Sequence, residues 1–198
     1  MIYVRDDDVL MPSSSHSDPL KHFKTVHEWI CETPKLLHIP TIVVRPLSEM
    51  SEAVAYIKEQ TKLYKVSPQV HGYEHIDYAK LTVQEIKDHL MKCKDFLFDE
   101  FDVIPSKWYT PWGANAPHLY EAADETGLTL IDCSRIYKMN GRYGIIQLAK
   151  EGKDIEKFLH KKEIFFHWWE GGMRLKRVIE IVKHGSYEAA KEANGNWF

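Results

Sequence analysis

Three carboxylates stand side by side close to the start of the chain. Asp6, Asp7 and Asp8 follow the short apolar run at residues 2–4, which predicts a buried strand. Adjacent carboxylates repel one another, so three together at the end of such a strand indicate a bound cation or a shared proton. Two milder interpretations remain open: one aspartate solvates the loop or caps the next helix, and Arg5 neutralises another.

Two histidines four positions apart are the second candidate for cation binding. His71 and His75 lie in the segment HGYEH, and on one helical turn both imidazoles would face the same ion. The spacing alone is a weak signal, and Gly72 argues against a long regular helix. Glu74 lies one position too late for the HExxH zinc-protease motif, so a metalloprotease would lack its general base.

A third candidate follows a late apolar run. His167 is preceded by Ile-Phe-Phe and followed by two tryptophans. Burial would lower the pKa of this histidine and a neighbouring carboxylate would raise it, and a value near neutrality suits a general acid. A structural histidine in the core would give the same pattern. Asp132 and the segment at residues 110–113 also follow predicted strands.

Strand and helix patterns alternate along the whole chain. Strands are predicted near residues 2–4, 40–45, 67–70, 107–110, 128–131 and 163–166. Helices are predicted near residues 18–32, 49–63, 82–98, 117–126, 155–161 and 173–183, while the turn-rich segment 137–148 is not assigned. The alternation predicts an α/β fold with a parallel sheet, doubly wound or closed into a barrel, as one domain over residues 1–198. In such folds functional groups collect at the carboxyl ends of the strands, where the aspartates and histidines fall.

The composition excludes several classes of protein. The 198 residues are 44% hydrophobic and 28% charged with a net charge of −3, and no basic run favours a nucleic-acid or membrane partner. The three cysteines form no CxxC motif and predict free thiols in a reducing compartment. Without a signal peptide or an apolar stretch of about 20 residues, we expect a cytoplasmic protein. The composition carries no signal for an oligomeric state.

Taken together, these segments resemble the polysaccharide deacetylase family, the NodB-homology domain of metal-dependent carbohydrate deacetylases. The resemblance covers essentially the whole chain, with the motifs in the family's order. VRDDDV stands where the family has TFDDG, HGYEH stands for H-[ST]-x-x-H, and KWYTPWG ends like R-x-R-P-P-[YW]-G. IFFH is similar to the family's late strand ending in histidine, and Asp132 is the counterpart of its late-strand aspartate. Val9 replaces the family's glycine, and Gly72 replaces its serine or threonine.

The resemblance implies a role for each matched residue. Asp7 would be the catalytic base, His167 the general acid, and Lys107 the replacement for the arginine that orients the base. The implied ligands of a divalent metal ion, most simply zinc, are Asp8, His71 and His75. A shifted register, with Asp6 and Asp7 as the functional pair, stays open. Candidates for contact with a sugar are Trp112, Tyr73, Trp168 and Trp169.

The resemblance also implies a fold and an activity. The expected fold is a distorted, TIM-barrel-like (β/α) barrel of about seven units. The expected activity is that of a metal-dependent hydrolase that removes an N-acetyl group from an amino-sugar-containing carbohydrate. Two alternatives remain: a C–N hydrolase of the same fold acting on a non-sugar amide, and a catalytically degenerate carbohydrate-binding protein.

Overall fold

The computed structural model describes residues 2–11, 18–63, 65–131, 163–167 and 173–195. Within these ranges six strands form one sheet in the order β5-β4-β3-β2-β1-β6, and all neighbouring strands are parallel. The sheet curls into a half-barrel, which confirms the predicted α/β fold of distorted-barrel type. The strands are β1 Ile2–Asp7, β2 Leu36–Val43, β3 Gln69–Gly72, β4 Lys107–Tyr109, β5 Thr129–Ile131 and β6 Glu163–His167.

Helices connect and cover the strands. The described α-helices are α1 Pro19–Cys31, α2 Val44–Ser48, α3 Ser51–Lys62, α4 Val83–Phe101, α5 Pro117–Glu125, α6 Met173–His184 and α7 Tyr187–Asn194. Two single turns of 3-10 helix, Tyr78–Lys80 and Pro111–Gly113, lie in the connections that follow β3 and β4. Among the described helices, none combines the length and the apolar character needed to cross a membrane.

Two helix starts follow directly from local sequence. The Asp18 carboxylate accepts a hydrogen bond from the Lys21 backbone N–H at 2.9 Å at the start of α1. At the start of α4, the Thr82 hydroxyl accepts from the Glu85 backbone N–H, and the Glu85 carboxylate accepts from the Thr82 backbone N–H at 2.8 Å. This reciprocal pair is the predicted capping box, and both predicted helix starts are confirmed.

Other boundaries were predicted wrongly. Strand β2 begins earlier than predicted and ends at Val43, so that Val44 and Arg45 open α2 instead of extending the strand. The backbone N–H of Arg45 donates a hydrogen bond to the carbonyl of Tyr73 at 2.9 Å, just beyond the Val43–Gly72 pair of β2 and β3. Helix α7, capped by Ser186, was not predicted. The predictions for residues 137–148 and 155–161 lie outside the described residues.

Two apolar clusters pack the helices against one face of the curled sheet. The larger cluster joins strands β2 to β4 to helices α3, α4 and α5, and it includes Ile42, Val70, Leu90, Leu97 and Trp108. The smaller cluster joins β1 and β6 to helices α1, α6 and α7, and it includes Val4, Ile30, Phe166, Val178 and Val182. Together they fix β1 between β2 and β6, which holds the end of β1 in place.

A chain of buried polar groups runs from β1 into the helix layer. Asp6 Oδ2 lies 3.6 Å from His38 Nε2, and His38 Nδ1 lies 3.0 Å from His27 Nδ1. His27 Nε2 in turn lies 3.1 Å from Gln60 Oε1. Burial lowers the pKa of His27, and burial together with the neighbouring His27 ring lowers the pKa of His38 well below its usual value. Both imidazoles are therefore expected to be neutral in the folded protein near pH 7.

These two histidines predict a loss of stability in acid. Because their pKa values are lowered on folding, their contribution is complete above the unfolded-state pKa of about 6.5 and is lost as the pH falls below it. We expect the free energy of unfolding of chelator-treated protein to fall between pH 7 and pH 5. The His27→Gln/His38→Gln variant should show a shallower slope, by at most about 1.4 kcal/mol per pH unit for each histidine. Urea denaturation across this pH range measures both slopes.

The exposed histidine at the end of α6 provides the control. His184→Gln changes the same side-chain type outside the buried chain, so it should leave the slope close to that of the wild-type protein. Equal slopes in the wild-type protein and the double variant would contradict this assignment.

Candidate metal centre and active site

Asp8, His71 and His75 come together at the carboxyl end of the sheet. Asp8 Oδ1 lies 2.8 Å from His71 Nε2 and 2.8 Å from His75 Nε2. Asp8 and His71 are buried, whereas His75 is partly exposed. Within the described ranges, no other three His, Cys, Asp or Glu side chains place their ligand atoms close enough to share one metal ion.

The chemistry of these three groups fits a divalent metal ion. Although Asp8 Oδ1 is close to both imidazoles, no described group gives it a well-directed hydrogen bond. The three ligand atoms lie within 4.8 Å of one another, as atoms that address a common ion do. One carboxylate oxygen and two imidazole nitrogens form a donor set suited to zinc and related divalent ions. Burial raises the pKa of Asp8, but the close contacts with His71 and His75 outweigh it and hold the pKa below its usual range.

The backbone around Asp8 adopts a left-handed conformation that directs the Asp8 side chain toward His71 and His75. Asp8 has a φ of +58° and Leu10 a φ of +60°, both in the left-handed region that few residues other than glycine adopt. The Asp8 carbonyl accepts a hydrogen bond from Met11 N–H at 2.9 Å, which closes the turn after β1. Strain of this kind persists where the surroundings over-determine a conformation, and here it turns Asp8 toward the two histidines.

The two histidines do not share a helical turn, so that part of the sequence interpretation is wrong. His71 belongs to β3, and His75 lies in the bend that follows it. Their rings stack with centroids 5.5 Å apart. The end of β3 and the bend after it therefore bring together the two imidazoles that a helical turn was expected to align.

Asp7 is held by a buried arginine from its own strand. Arg5 Nη2 donates a hydrogen bond to Asp7 Oδ2 at 3.0 Å, and Arg5 Nε lies 2.9 Å from Asp7 Oδ1. The Thr41 hydroxyl of β2 donates to Asp7 Oδ1 at 2.9 Å. The Arg5 guanidinium, which is 0% exposed, lies 4.5 Å from the ring centroid of Tyr109 and 4.9 Å from that of Phe165. Arg5 therefore compensates the charge of Asp7 inside the half-barrel.

Lys107 does not contact Asp7. It is the first residue of β4, whereas the candidate site lies at the carboxyl ends of the strands. Its Nζ lies 5.5 Å from the ring centroid of Tyr3, near the opposite end of β1. The place beside Asp7 that the resemblance gave to Lys107 is taken by the Arg5 guanidinium, which the sequence indicated only as a neutralising charge for one of the aspartates. An arginine two residues before Asp7, and so on the same face of the strand, was the available signal.

Asp6 points away from the metal ligands. Strand alternation sends its side chain to the face opposite Asp7, where it lies near His38. The structure thus brings Asp8, rather than Asp6, to His71 and His75.

His167 faces the same group from the neighbouring strand. In the parallel pairing of β1 with β6, His167 is the register partner of Asp7. Its Nε2 lies 4.0 Å from Asp8 Oδ2, and the residue is partly exposed. The predicted base and acid therefore occupy adjacent strands beside the three candidate ligands.

The aromatic candidates differ in where they lie. Trp112 is 67% exposed, and its ring meets the His75 ring edge-on with centroids 4.6 Å apart. The Tyr73 ring instead lies against α4, with its centroid 5.4 Å from that of His89 and 4.9 Å from Lys92 Nζ. Three further candidates from the sequence lie outside the described residues: Asp132, Trp168 and Trp169.

Comparisons with known proteins establish the fold. No family model matches the sequence, and no curated protein matches it. The chain is similar to a family 4 carbohydrate esterase from Streptomyces lividans in complex with acetate, with a TM-score of 0.60 and 11% identity over 97% of this chain and 88% of that one. It is similar to the peptidoglycan deacetylase PdaC from Bacillus subtilis, with a TM-score of 0.62 and 10% identity over 97% and 91%. It is also similar to a pseudoenzyme of family 4 from Bacillus anthracis, with a TM-score of 0.58 and 14% identity over 93% and 61%. The chain thus has the fold of this esterase family, as the resemblance implied.

The pairing of Arg5 with Asp7 predicts unequal effects of two matched substitutions. Arg5→Met leaves the Asp7 charge buried without its partner, which typically costs about 3–5 kcal/mol of unfolding free energy. Lys107→Met removes the same kind of charge at a place without contact to Asp7, and it should cost less than about 1 kcal/mol. Chemical denaturation measures both. A larger loss for Lys107→Met than for Arg5→Met would refute the pairing.

Proposed function

We propose that this protein is a metal-dependent hydrolase that removes the N-acetyl group from an amino-sugar-containing substrate. The observation that carries the proposal is the convergence of Asp8, His71 and His75 at the strand ends, with Asp7 and His167 beside them. The shared fold supports the proposal, because one relative is named a peptidoglycan deacetylase and another holds acetate.

Asp8, His71 and His75 would hold the metal ion, for which zinc is the simplest choice. When bound, the ion supplies the positive charge that polarises the amide carbonyl and lowers the pKa of a water molecule. The same charge offsets the repulsion between Asp8 and the neighbouring Asp7.

Asp7 is suited to take a proton from the attacking water. A carboxylate offers about four acceptor positions, and the hydrogen bonds from Arg5 and Thr41 occupy two of them. Asp7 therefore keeps acceptor capacity for a proton while its orientation stays fixed. The substrate reaction would begin as the water oxygen bonds to the carbonyl carbon and its proton passes to Asp7.

His167 is suited to protonate the leaving amine. It is the register partner of Asp7 on β6, so the acid and the base flank the place where the amide would lie. As the C–N bond breaks, a proton from His167 would reach the amine nitrogen, and acetate and a free amino sugar would leave.

The segment after β4 would complete the pocket. A backbone N–H between residues 110 and 112 is our candidate donor to the developing oxyanion, and Pro111 has none, so the donor is Thr110 or Trp112. The exposed indole of Trp112 beside His75 offers an apolar face on which a sugar ring could stack.

One competing function has a specific observation in its favour. The similarity to a pseudoenzyme shows that this fold also occurs in a protein named as lacking activity. A degenerate carbohydrate-binding protein would bind sugar without releasing acetate. The presence of both Asp7 and His167 beside the three candidate ligands favours the hydrolase.

Acetate release provides the test. Zinc-loaded protein should release acetate from N-acetylglucosamine oligomers faster than from small non-sugar amides. His167→Ala should keep its zinc and lose about 10²–10⁴-fold in kcat, the usual contribution of a general acid. The matched control is His184→Ala, which removes an exposed imidazole from α6 and should retain full turnover.

Each contrary result removes a different part of the proposal. Full turnover in His167→Ala would exclude His167 as the acid. Faster hydrolysis of small amides would favour the non-sugar substrate. Sugar binding without acetate release by the zinc-loaded wild-type protein would favour the degenerate binding protein.

A further inference from the structure

The last residue of β3, just before the bend that carries His75, has no room for a side chain. Gly72 directly follows His71, and a Cβ built on Gly72 would lie 2.7 Å from Tyr78 Oη and 2.9 Å from the carbonyl oxygen of Glu74. Real Cβ atoms essentially never approach so closely, so the glycine is required by what surrounds it. The resemblance places a serine or threonine here, and the structure shows a tyrosine hydroxyl in the space that their side chain would use.

Tyr78 is fixed from several sides. It is fully buried, and its ring meets the Trp108 ring edge-on with centroids 5.4 Å apart. Its hydroxyl oxygen accepts a hydrogen bond from the backbone N–H of Tyr73 at 2.8 Å. The indole N–H of Trp108 donates to the carbonyl of His71 at 3.1 Å. Two side chains that pack on each other therefore hold the backbone on both sides of Gly72.

A second support for the turn lies on the solvent side. The Arg45 backbone N–H donates to the Tyr73 carbonyl at 2.9 Å, and the Arg45 guanidinium pairs with the Glu74 carboxylate. Exposed ion pairs contribute little because water and salt screen them. The buried hydrogen bond to Tyr78 is worth more, because without it the N–H of Tyr73 would be left unsatisfied in a partly buried place.

We propose that Tyr78 is a positioning residue for the metal centre, whose hydroxyl fixes the turn that brings His75 to Asp8. The inference rests on the proposed function, because it concerns the same metal ion. Tyr78 does not reach the metal ligands itself; it acts through the backbone of Tyr73, two residues before His75. Gly72 and Tyr78 together would replace the hydroxyl side chain that the resemblance places between the two histidines.

The test is the affinity for zinc, measured by competition with a chromophoric chelator. Tyr78→Phe removes only the hydroxyl and keeps the ring on Trp108. Loss of a group that orients metal ligands typically weakens metal binding about 10–100-fold, and we expect a loss in this range. Gly72→Ala should weaken zinc binding as well, because its Cβ displaces the Tyr78 hydroxyl.

Two controls separate positioning from general loosening. Tyr56→Phe makes the same chemical change on α3 and should keep the wild-type dissociation constant. Ile30→Val removes a methylene from the smaller apolar cluster, which destabilises the protein by about 0.5–1.5 kcal/mol without touching the turn. It too should bind zinc like the wild-type protein.

The outcomes distinguish this inference from the proposed function. Equal zinc affinity in Tyr78→Phe and the wild-type protein would overturn the inference and leave the metal centre standing. An equal loss in Tyr78→Phe and Ile30→Val would also overturn it, because stability alone would then explain the change. A wild-type protein that binds no zinc would overturn both.

Discussion

The burial of three consecutive aspartates is the constraint on which the candidate site depends. A buried carboxylate without compensation costs several kcal/mol, so three adjacent ones cannot share one environment. Strand alternation separates Asp7 from Asp6, and they meet Arg5 and His38 on opposite faces of the sheet. The left-handed turn after β1 then directs Asp8 at His71 of β3 and at His75 in the bend that follows β3. The side chains of Asp6, Asp7 and Asp8 therefore point in three different directions, which reduces the repulsion between their carboxylates.

The curled parallel sheet determines which groups can meet. Strand β2 lies between β1 and β3, and its Thr41 bonds to Asp7 while β3 delivers His71 to Asp8. On the other side β6 pairs with β1 and places His167 level with Asp7. The candidate base, the candidate acid and the three candidate metal ligands thus reach one small volume from β1, β3, β6 and the segments that follow β1 and β3.

Local patterns were readable from the sequence, whereas some side-chain partnerships were not. The strand–helix alternation and the capping box at Thr82 depend on neighbours in sequence, and both are confirmed. The partner of Asp7 lies two residues earlier on its own strand, but the motif match pointed to Lys107 and so gave Arg5 no place beside Asp7. Gly72 looked like a departure from a motif, because nothing local shows that the hydroxyl of Tyr78, six residues later, occupies the space beside it.

The metal site is best examined in a crystal structure of the protein grown with zinc, with anomalous scattering recorded at the zinc edge. We expect one ion bound by an Asp8 carboxylate oxygen and by Nε2 of His71 and His75, at about 2.0–2.2 Å from each. Zinc bound elsewhere in the crystal, with no ion among these three side chains, would contradict this expectation.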